Sequence, residues 1–383
     1  MIDTVAIIGS GPVGQAAALI MSHLGYAVEL IAPTTRDVKH HEKPIVLSLS
    51  TYRILTHIGM TLTRPRVIKQ VRLSAQSRMQ SLTCRVDDVG EEMLGCAVTG
   101  ADLCSELNEL VNRSHLIQRI DGMVASIDDR QRRLTLDTGY VCQADLVIAA
   151  DGQHSTMRRL LAIPWVDSGH VSQTIQMPVT CREPLPCAEL RLLRHGTVAL
   201  IPSVKQGQAF LMWVHTQQAQ PMWEQILIKQ CNHQLFKYWP ELEAKLISCD
   251  WQAVSQYQSH RRYALSLVRP GVVLVGDAAM TWEPVGAQMF NLAMADLAYL
   301  HDCLSKQTQP GTLWSKLARY QKHRQNIHQS LRKELSYLAS LGSVQIGTSA
   351  LISMMDCPGI KTRWMRKAMG YRLNASMLQQ ELL

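Results

Sequence analysis

Residues 4–14 read TVAIIGSGPVG, and this stretch decides the fold. Thr4–Ile8 is a short β-branched run of the kind that makes a buried strand, and it ends on glycine. An alanine-rich segment, Gln15–Leu24, follows with helical character and is closed by Gly25. A second apolar run, Tyr26–Ile31, comes next. Strand, glycine turn, helix and strand thus succeed one another within about thirty residues, the context that gives G-x-G-x-x-G its meaning. Gly9 is expected to permit the tight turn, Gly11 to let a pyrophosphate approach the backbone, and Gly14 to let helix pack on strand. The N-terminal amides and dipole of that helix would face phosphate. The fingerprint also asks for an acid at the end of the second strand, to hold ribose hydroxyls. That place falls on Ala32, and Glu29 lies on the opposite face of an alternating strand.

Further along, an amphipathic helix is read at Asp102–Val111 and strands at Met123–Ile127, Leu134–Leu136 and Asp145–Ala150. The last strand runs into A-D-G-Q-H-S-T-M-R-R at 150–159. Residues 161–265 lose the alternation of strand and helix and become β-rich, with strands at Val198–Pro202 and Ala209–His215. The α/β pattern resumes at Gly271, with a buried strand Val272–Val275, then G-D-A-A at 276–279 and P-V-G-A-Q-M-F-N at 284–291, where a helix starts. From Leu313 onward the chain reads as helical.

Composition narrows the function classes. The chain has 383 residues with 46% hydrophobic and 18% charged, enough for a large core and too little charge for disorder. No apolar run is long enough to span a bilayer as a helix, and the N-terminus does not resemble a signal peptide. Ten cysteines without a C-x-x-C pair read as reduced thiols of a cytoplasmic protein, and the fourteen histidines show no metal-binding spacing. The net charge of +8 comes mostly from short pairs such as Arg158-Arg159 and Arg261-Arg262, which look like solvated faces, and no nucleic-acid recognition motif accompanies it.

Three motifs in order, at 9–14, 150–159 and 276–291, resemble the single-component flavin-dependent aromatic hydroxylases of the p-hydroxybenzoate hydroxylase fold. The K-P-I-V-L-S segment at 43–48, the strands around Pro202 and Trp213, and the chain length make the ubiquinone-biosynthesis hydroxylases the most similar group. The resemblance implies an α/β fold in which a Rossmann-like FAD-binding domain (1–70, 99–160 and 266–312) is interleaved with a β-sheet substrate domain (71–98 and 161–265), followed by C-terminal helices (313–383). It implies FAD as cofactor, NAD(P)H as reductant and O2 as co-substrate, with OH delivered from the flavin C4a-hydroperoxide to an electron-rich ring, a polyprenylated phenol in that group. The cofactor-binding residues it implies are Gly9, Gly11, Pro12, Val13, Gly14, Lys43, Val124, Asp151, Gly152, Gly276, Asp277, Pro284, Ala287, Gln288, Met289 and Asn291. Asp277 would bind the ribityl chain, and the helix near Phe290-Asn291 would aim its amides at the flavin pyrimidine edge. No catalytic acid, base or nucleophile is required of the protein, and Met212, Trp213, Trp282 and Met289 are pocket-lining candidates.

The sequence departs from the family pattern at four places. Lys43 stands for an arginine, Ala32 for the ribose acid, and Ala287 and Met289 for glycines of P-x-x-G-Q-G-x-N. Together they suggest a weakened flavin site, and as an alternative a flavin-poor partner in a biosynthetic complex; a third reading is an FAD-dependent reductase of the same superfold. The tail adds one more expectation. Lys361, Arg363, Arg366, Lys367 and Arg372 alternate with Ile360, Trp364, Met365, Met369 and Leu373, the make-up of an interfacial helix that would rest on a membrane or a partner protein. The competing expectation is that it packs back on the chain; a small-molecule aromatic ligand, peripheral membrane association and homo-oligomerisation complete the partners foreseen.

Overall fold

The computed structural model describes residues 2–34, 43–75, 81–128, 133–194, 196–216, 235–305, 311–341, 353–370 and 376–378. The elements that build the site are, along the chain, β1 (Thr4–Ile8), α1 (Pro12–His23), β2 (Ala27–Ile31), α2 (Leu49–His57), β3 (Leu146–Ala149), β4 (Trp165–Cys181), β5 (Gln208–Thr216), β6 (Ser255–Ala264), β7 (Val272–Leu274), α3 (Gln288–Leu304), α4 (Leu313–Leu341) and α5 (Pro358–Ala368).

A six-stranded sheet has the order Val268–Arg269, β7, β3, β1, β2 and Ile117–Ile120. All but the first of these strands run parallel. The chain leaves β1 through α1 to β2 on one side, while β3 lies on the other. That reversal of strand order opens a crevice at the carboxyl ends of the strands, where this architecture binds ligands. The strands are apolar on both faces, and α1 and the small antiparallel sheet of Val124–Asp128, Arg133–Leu136 and Val141–Gln143 share their core. Ala16, Ala17, Ala18, Ile20 and Met21 of α1 are all fully buried against the sheet. The small alanines let the helix axis come close. Helix α1 begins at Pro12, three residues earlier than the sequence suggested, because proline at the first helical position gives up an amide that has no partner there anyway.

The second sheet has nine strands and carries the β-rich middle of the chain, with β6, β4 and β5 side by side. Strand β4 alternates sharply. Ile175, Met177 and Val179 pack with Trp213, Leu211, Trp239 and Leu242 behind the sheet. Thr174 and Gln176 point to the other face, opposite Tyr257 and Ser255 of β6. Gln70–Ala75 and Ser81–Arg85 join this sheet. Gly95–Thr99 does not. It pairs with Pro44–Ser48 and Arg66–Ile68 in a separate three-stranded sheet.

Among the described residues the C-terminal region carries the helices α4 and α5 and a further turn at Ser376–Leu378. The apolar face of α5 is used inward: Met365 and Met369 are buried with Leu73, Leu82 and Leu192, and Trp364 packs on the same cluster. Lys361 pairs with Asp88 and Lys367 with Glu334. The interfacial face foreseen from the sequence is therefore spent on the chain's own core, although Ile360 stays exposed. Arg372 and Leu373 lie outside the described residues. No helix among the described residues is long and apolar enough to cross a membrane. The described cysteines are all unbridged, only Cys357 is exposed, and burial pushes the Cys96 thiol up to about 12.

Candidate functional site

The three motifs meet at the carboxyl ends of β1, β3 and β7. Gly9 has φ +106, and a Cβ on it would stand 2.4 Å from the Ala150 carbonyl oxygen, so the first and second motifs touch through backbone alone. A Cβ on Gly276, with φ +60, would meet the Val13 side chain at 3.2 Å, which joins the first motif to the third. Gly14 lies so close that a Cβ would overlap the Gly9 carbonyl oxygen at 1.8 Å. Gly11 behaves differently. Its φ of −67 and ψ of 175 suit any residue, and nothing stands within 4 Å of where its Cβ would be. Its missing side chain leaves a cradle at the positive end of α1, shaped for a diphosphate and required by nothing in the protein's own packing. The observed loop therefore fits FAD.

Around that cradle the second motif is tied down by its own side chains. Asp151 accepts from the Met157 amide at 3.0 Å, leaving its other carboxylate oxygen buried without a partner. Gly152 takes φ +81 with open space beside it. Arg158 donates to the carbonyls of Ala278, at 3.0 Å, and Gln153, at 2.9 Å, while its guanidinium stacks 3.7 Å over Trp165. It is a clamp between the second and third motifs, not half of a solvated pair. Arg261 and Arg262 are likewise engaged, with Glu283 and Asp167. A single sequence carries no signal for these partners, since each lies at least 22 residues away.

The other end of the cleft is built by Lys43, Asp277 and the loop before α3. Asp277 stands open to the cleft yet hemmed in by protein, and its lost hydration pushes the carboxyl up to about 6. Burial also lowers the Lys43 ammonium, which lies 5.8 Å over the Tyr257 ring. Pro284 leads into a short turn in which Gly286 has φ 66 and Ala287 has φ 53, so the alanine holds a left-handed backbone that glycine would adopt freely. Gln288 and Met289 are already helical, three residues before the start suggested by the sequence, and Met289 needs no positive φ. Its side chain packs with Trp282, Val285 and Leu335. Asn291 is occupied within the protein: Nδ2 donates to the carbonyls of Val46, at 3.0 Å, and Ala287, at 2.7 Å, and Oδ1 accepts from the Ser48 amide at 2.9 Å. It fastens the loop before α3 to the Lys43–Ser48 segment. Val124 lies in the core, 5% exposed. Among the pocket candidates, Trp213 belongs to the cluster behind the large sheet, whereas Met212 lies on the same face as Gln176 and packs with Ile68 and Ala97.

At the second strand the acid is absent, as the sequence said. Glu29 accepts from the Tyr140 hydroxyl at 3.0 Å on the outer face of β2. Asp121, which follows the neighbouring strand, binds the amide of Thr34 at 2.6 Å and its hydroxyl at 2.7 Å.

A dinucleotide cradle at the crevice of a parallel sheet, beside a large mostly antiparallel sheet, fits a flavoprotein. The chain belongs to the FAD binding domain family, which matches residues 3–334. It is 27% identical over 340 residues to the 3-demethoxyubiquinol 3-hydroxylase of Escherichia coli strain K12, covering 84% of this chain and 85% of that one. In fold it is similar to p-nitrophenol 4-monooxygenase from Pseudomonas putida DLL-E4, with a TM-score of 0.76 and 16% identity over 98% of this chain and 99% of the other. It is similar again to the HpxO protein of Klebsiella pneumoniae in complex with FAD, with a TM-score of 0.73 and 19% identity over 96% and 98% of the two chains.

Proposed function

We propose that the protein is a monooxygenase that hydroxylates a phenolic ring carrying a polyprenyl chain, a reaction of the kind found in ubiquinone biosynthesis, with a reduced nicotinamide as electron donor. The observation that carries this reading is the convergence of three loops on one dinucleotide cradle beside β6, whose Tyr257 lies under Lys43 and near Asp277. The likeness to the ubiquinol hydroxylase across most of both chains supports the substrate class.

When bound, FAD supplies the activation of O2 and the transfer of oxygen to the ring. The chain's residues have simpler tasks. The backbone around Gly11 and the start of α1 would hold the diphosphate. Asp277 would accept from ribityl hydroxyls, and that bond favours its ionised form against the burial that disfavours it. The amides and dipole at the start of α3 would stabilise negative charge at the pyrimidine edge. Lys43 adds a positive charge without the two-pronged geometry of arginine. The experiment is turnover of ortho-prenylphenol by FAD-loaded protein with NADH or NADPH. Nicotinamide oxidation matched by hydroxylated product supports the proposal; oxidation without product, or neither, refutes it.

A flavin-poor relative remains a distinct second reading, and one observation favours it: the left-handed Ala287. Ala287→Gly should relieve strain of about 0.5–1 kcal/mol and raise the FAD occupancy of purified protein. An occupancy that is already complete in the wild type removes this reading. Met289→Gly is not expected to help, because a glycine inside α3 weakens the helix and deletes the packing against Trp282.

A further inference from the structure

Tyr257 is the polar side chain of the large sheet that reaches the flavin end of the cleft. It is 37% exposed on β6, beneath Lys43 and close enough to Asp277 for the two groups to interact electrostatically. Behind it on β4 lies Gln176, only 6% exposed, whose Nε2 donates to the Tyr257 hydroxyl oxygen at 3.2 Å. The other amide atom of Gln176, Oε1, is buried with no partner. A glutamine so enclosed, on a strand paired on both sides, is fixed in place, and leaving its carbonyl unbonded carries a real penalty. The arrangement makes sense if Gln176 serves to orient the phenol. Because the phenol oxygen accepts from Gln176, its own O–H is left to donate.

We infer that Tyr257, oriented by Gln176, is the hydrogen-bond donor by which the cleft selects an aromatic ring bearing an oxygen substituent over the same ring without one. This rests on the hydroxylase reading above and names the residue that makes it selective. Tyr257 would touch the substrate, while Gln176 is a positioning residue. Burial pushes the phenol up to about 12, against the Thr174 hydroxyl, which pulls it down, and with a smaller push from the Asp277 carboxylate, so it stays a protonated donor through the working range. A site that hydrogen-bonds a substrate oxygen rejects the analogue lacking it, because its own polar group is then left unpaired.

The test uses FAD-loaded full-length protein and two probes, ortho-prenylphenol and prenylbenzene, with binding read from perturbation of the flavin absorption band. The wild type is expected to prefer the phenol by about tenfold, the effect of one well-placed hydrogen bond to a neutral oxygen. In Tyr257→Phe the preference should fall to near one with FAD affinity unchanged. In Gln176→Leu it should also fall, since the hydroxyl loses its orientation, and a general packing defect would weaken both probes equally and leave their ratio intact. An undiminished ratio in Tyr257→Phe overturns the inference, as does a loss of FAD affinity in that variant, which would assign the hydroxyl to the cofactor. If the wild type binds both probes equally, the inference fails and the hydroxylase reading stands. If it binds neither, the hydroxylase reading itself fails.

Discussion

Gly11 and Gly14 sit three residues apart and serve opposite purposes, which makes them the sharpest residue-scale test. Gly11→Val places a side chain in open space on an extended backbone, so the fold should keep its melting temperature within about a degree or two while FAD binding disappears. Gly14→Ala instead drives a methyl into the Gly9 carbonyl, and α1 must shift off the sheet. It should cost stability by several kcal/mol, at the upper end of single-residue effects. Comparable thermal melts for the two variants would contradict this division. Asp277 offers a pH test. Its pKa is higher folded, about 6, than unfolded, so the folded chain binds the proton more tightly. In the FAD-free protein the cost of the ionised carboxylate is present in full above pH 6 and is relieved as pH falls toward 4. Asp277→Asn should therefore stabilise the FAD-free protein at neutral pH by about 1 kcal/mol, discounted because the carboxylate keeps contact with solvent, and should flatten that part of the pH profile. The same variant should bind FAD more weakly, a trade of function for stability. Denaturant midpoints at pH 7 and pH 5 check it.

At the scale of elements, α3 carries the flavin loop at its start and is fixed by a buried ionic cluster in its middle. Asp296, 1% exposed, accepts from Arg324 at 2.5 Å and lies 2.9 Å from His328, both on α4. Burial alone would raise the Asp296 pKa, but His328 and Arg324 outweigh it and hold the carboxyl below its usual range. Removing Asp296 strands two buried basic groups, so Asp296→Ala should lose about 3–5 kcal/mol of stability, measured by denaturant unfolding. A loss under 1 kcal/mol would mean water replaces the carboxylate at little cost. This cluster was invisible in the sequence because its members lie 28 and 32 residues apart on helices whose facing was unknown. By contrast the strand–glycine–helix unit at 4–31 was legible, because local spacing and backbone requirements write it directly. The flavin loop was legible only as a motif. Its left-handed Ala287, the early start of α3 and the internal duty of Asn291 depend on long-range contacts with Val46 and Ser48.

Across the whole molecule, the tail belongs to the same framework. The Ser50 amide donates to the Met369 carbonyl at 3.2 Å, and Gly370 packs so closely on Ser50 that a Cβ would strike its hydroxyl. Ser50 and Ser48 share a hydrogen bond of 3.1 Å, and Ser48 in turn holds Asn291. A chain ending at Cys357 should thus lose FAD occupancy as well as thermal stability, which spectrophotometry of purified protein would reveal; unchanged occupancy would separate the tail from the site. The sequence left the tail between two expectations for a physical reason: an amphipathic helix looks the same whether its apolar face meets lipid or the chain's own core, and Met365 and Met369 face the core. The central claim is that one FAD cradle, formed by three distant loops, supports oxygen transfer to an aromatic ring. Its most direct measurement is turnover of ortho-prenylphenol under isotopically heavy O2, with wild-type protein loaded with FAD and supplied with NADH or NADPH, and the product read by mass spectrometry. One heavy oxygen in the hydroxylated product, and none in the reaction of Gly11→Val, is the predicted result. Product oxygen drawn from water, or equal turnover by Gly11→Val, would contradict it.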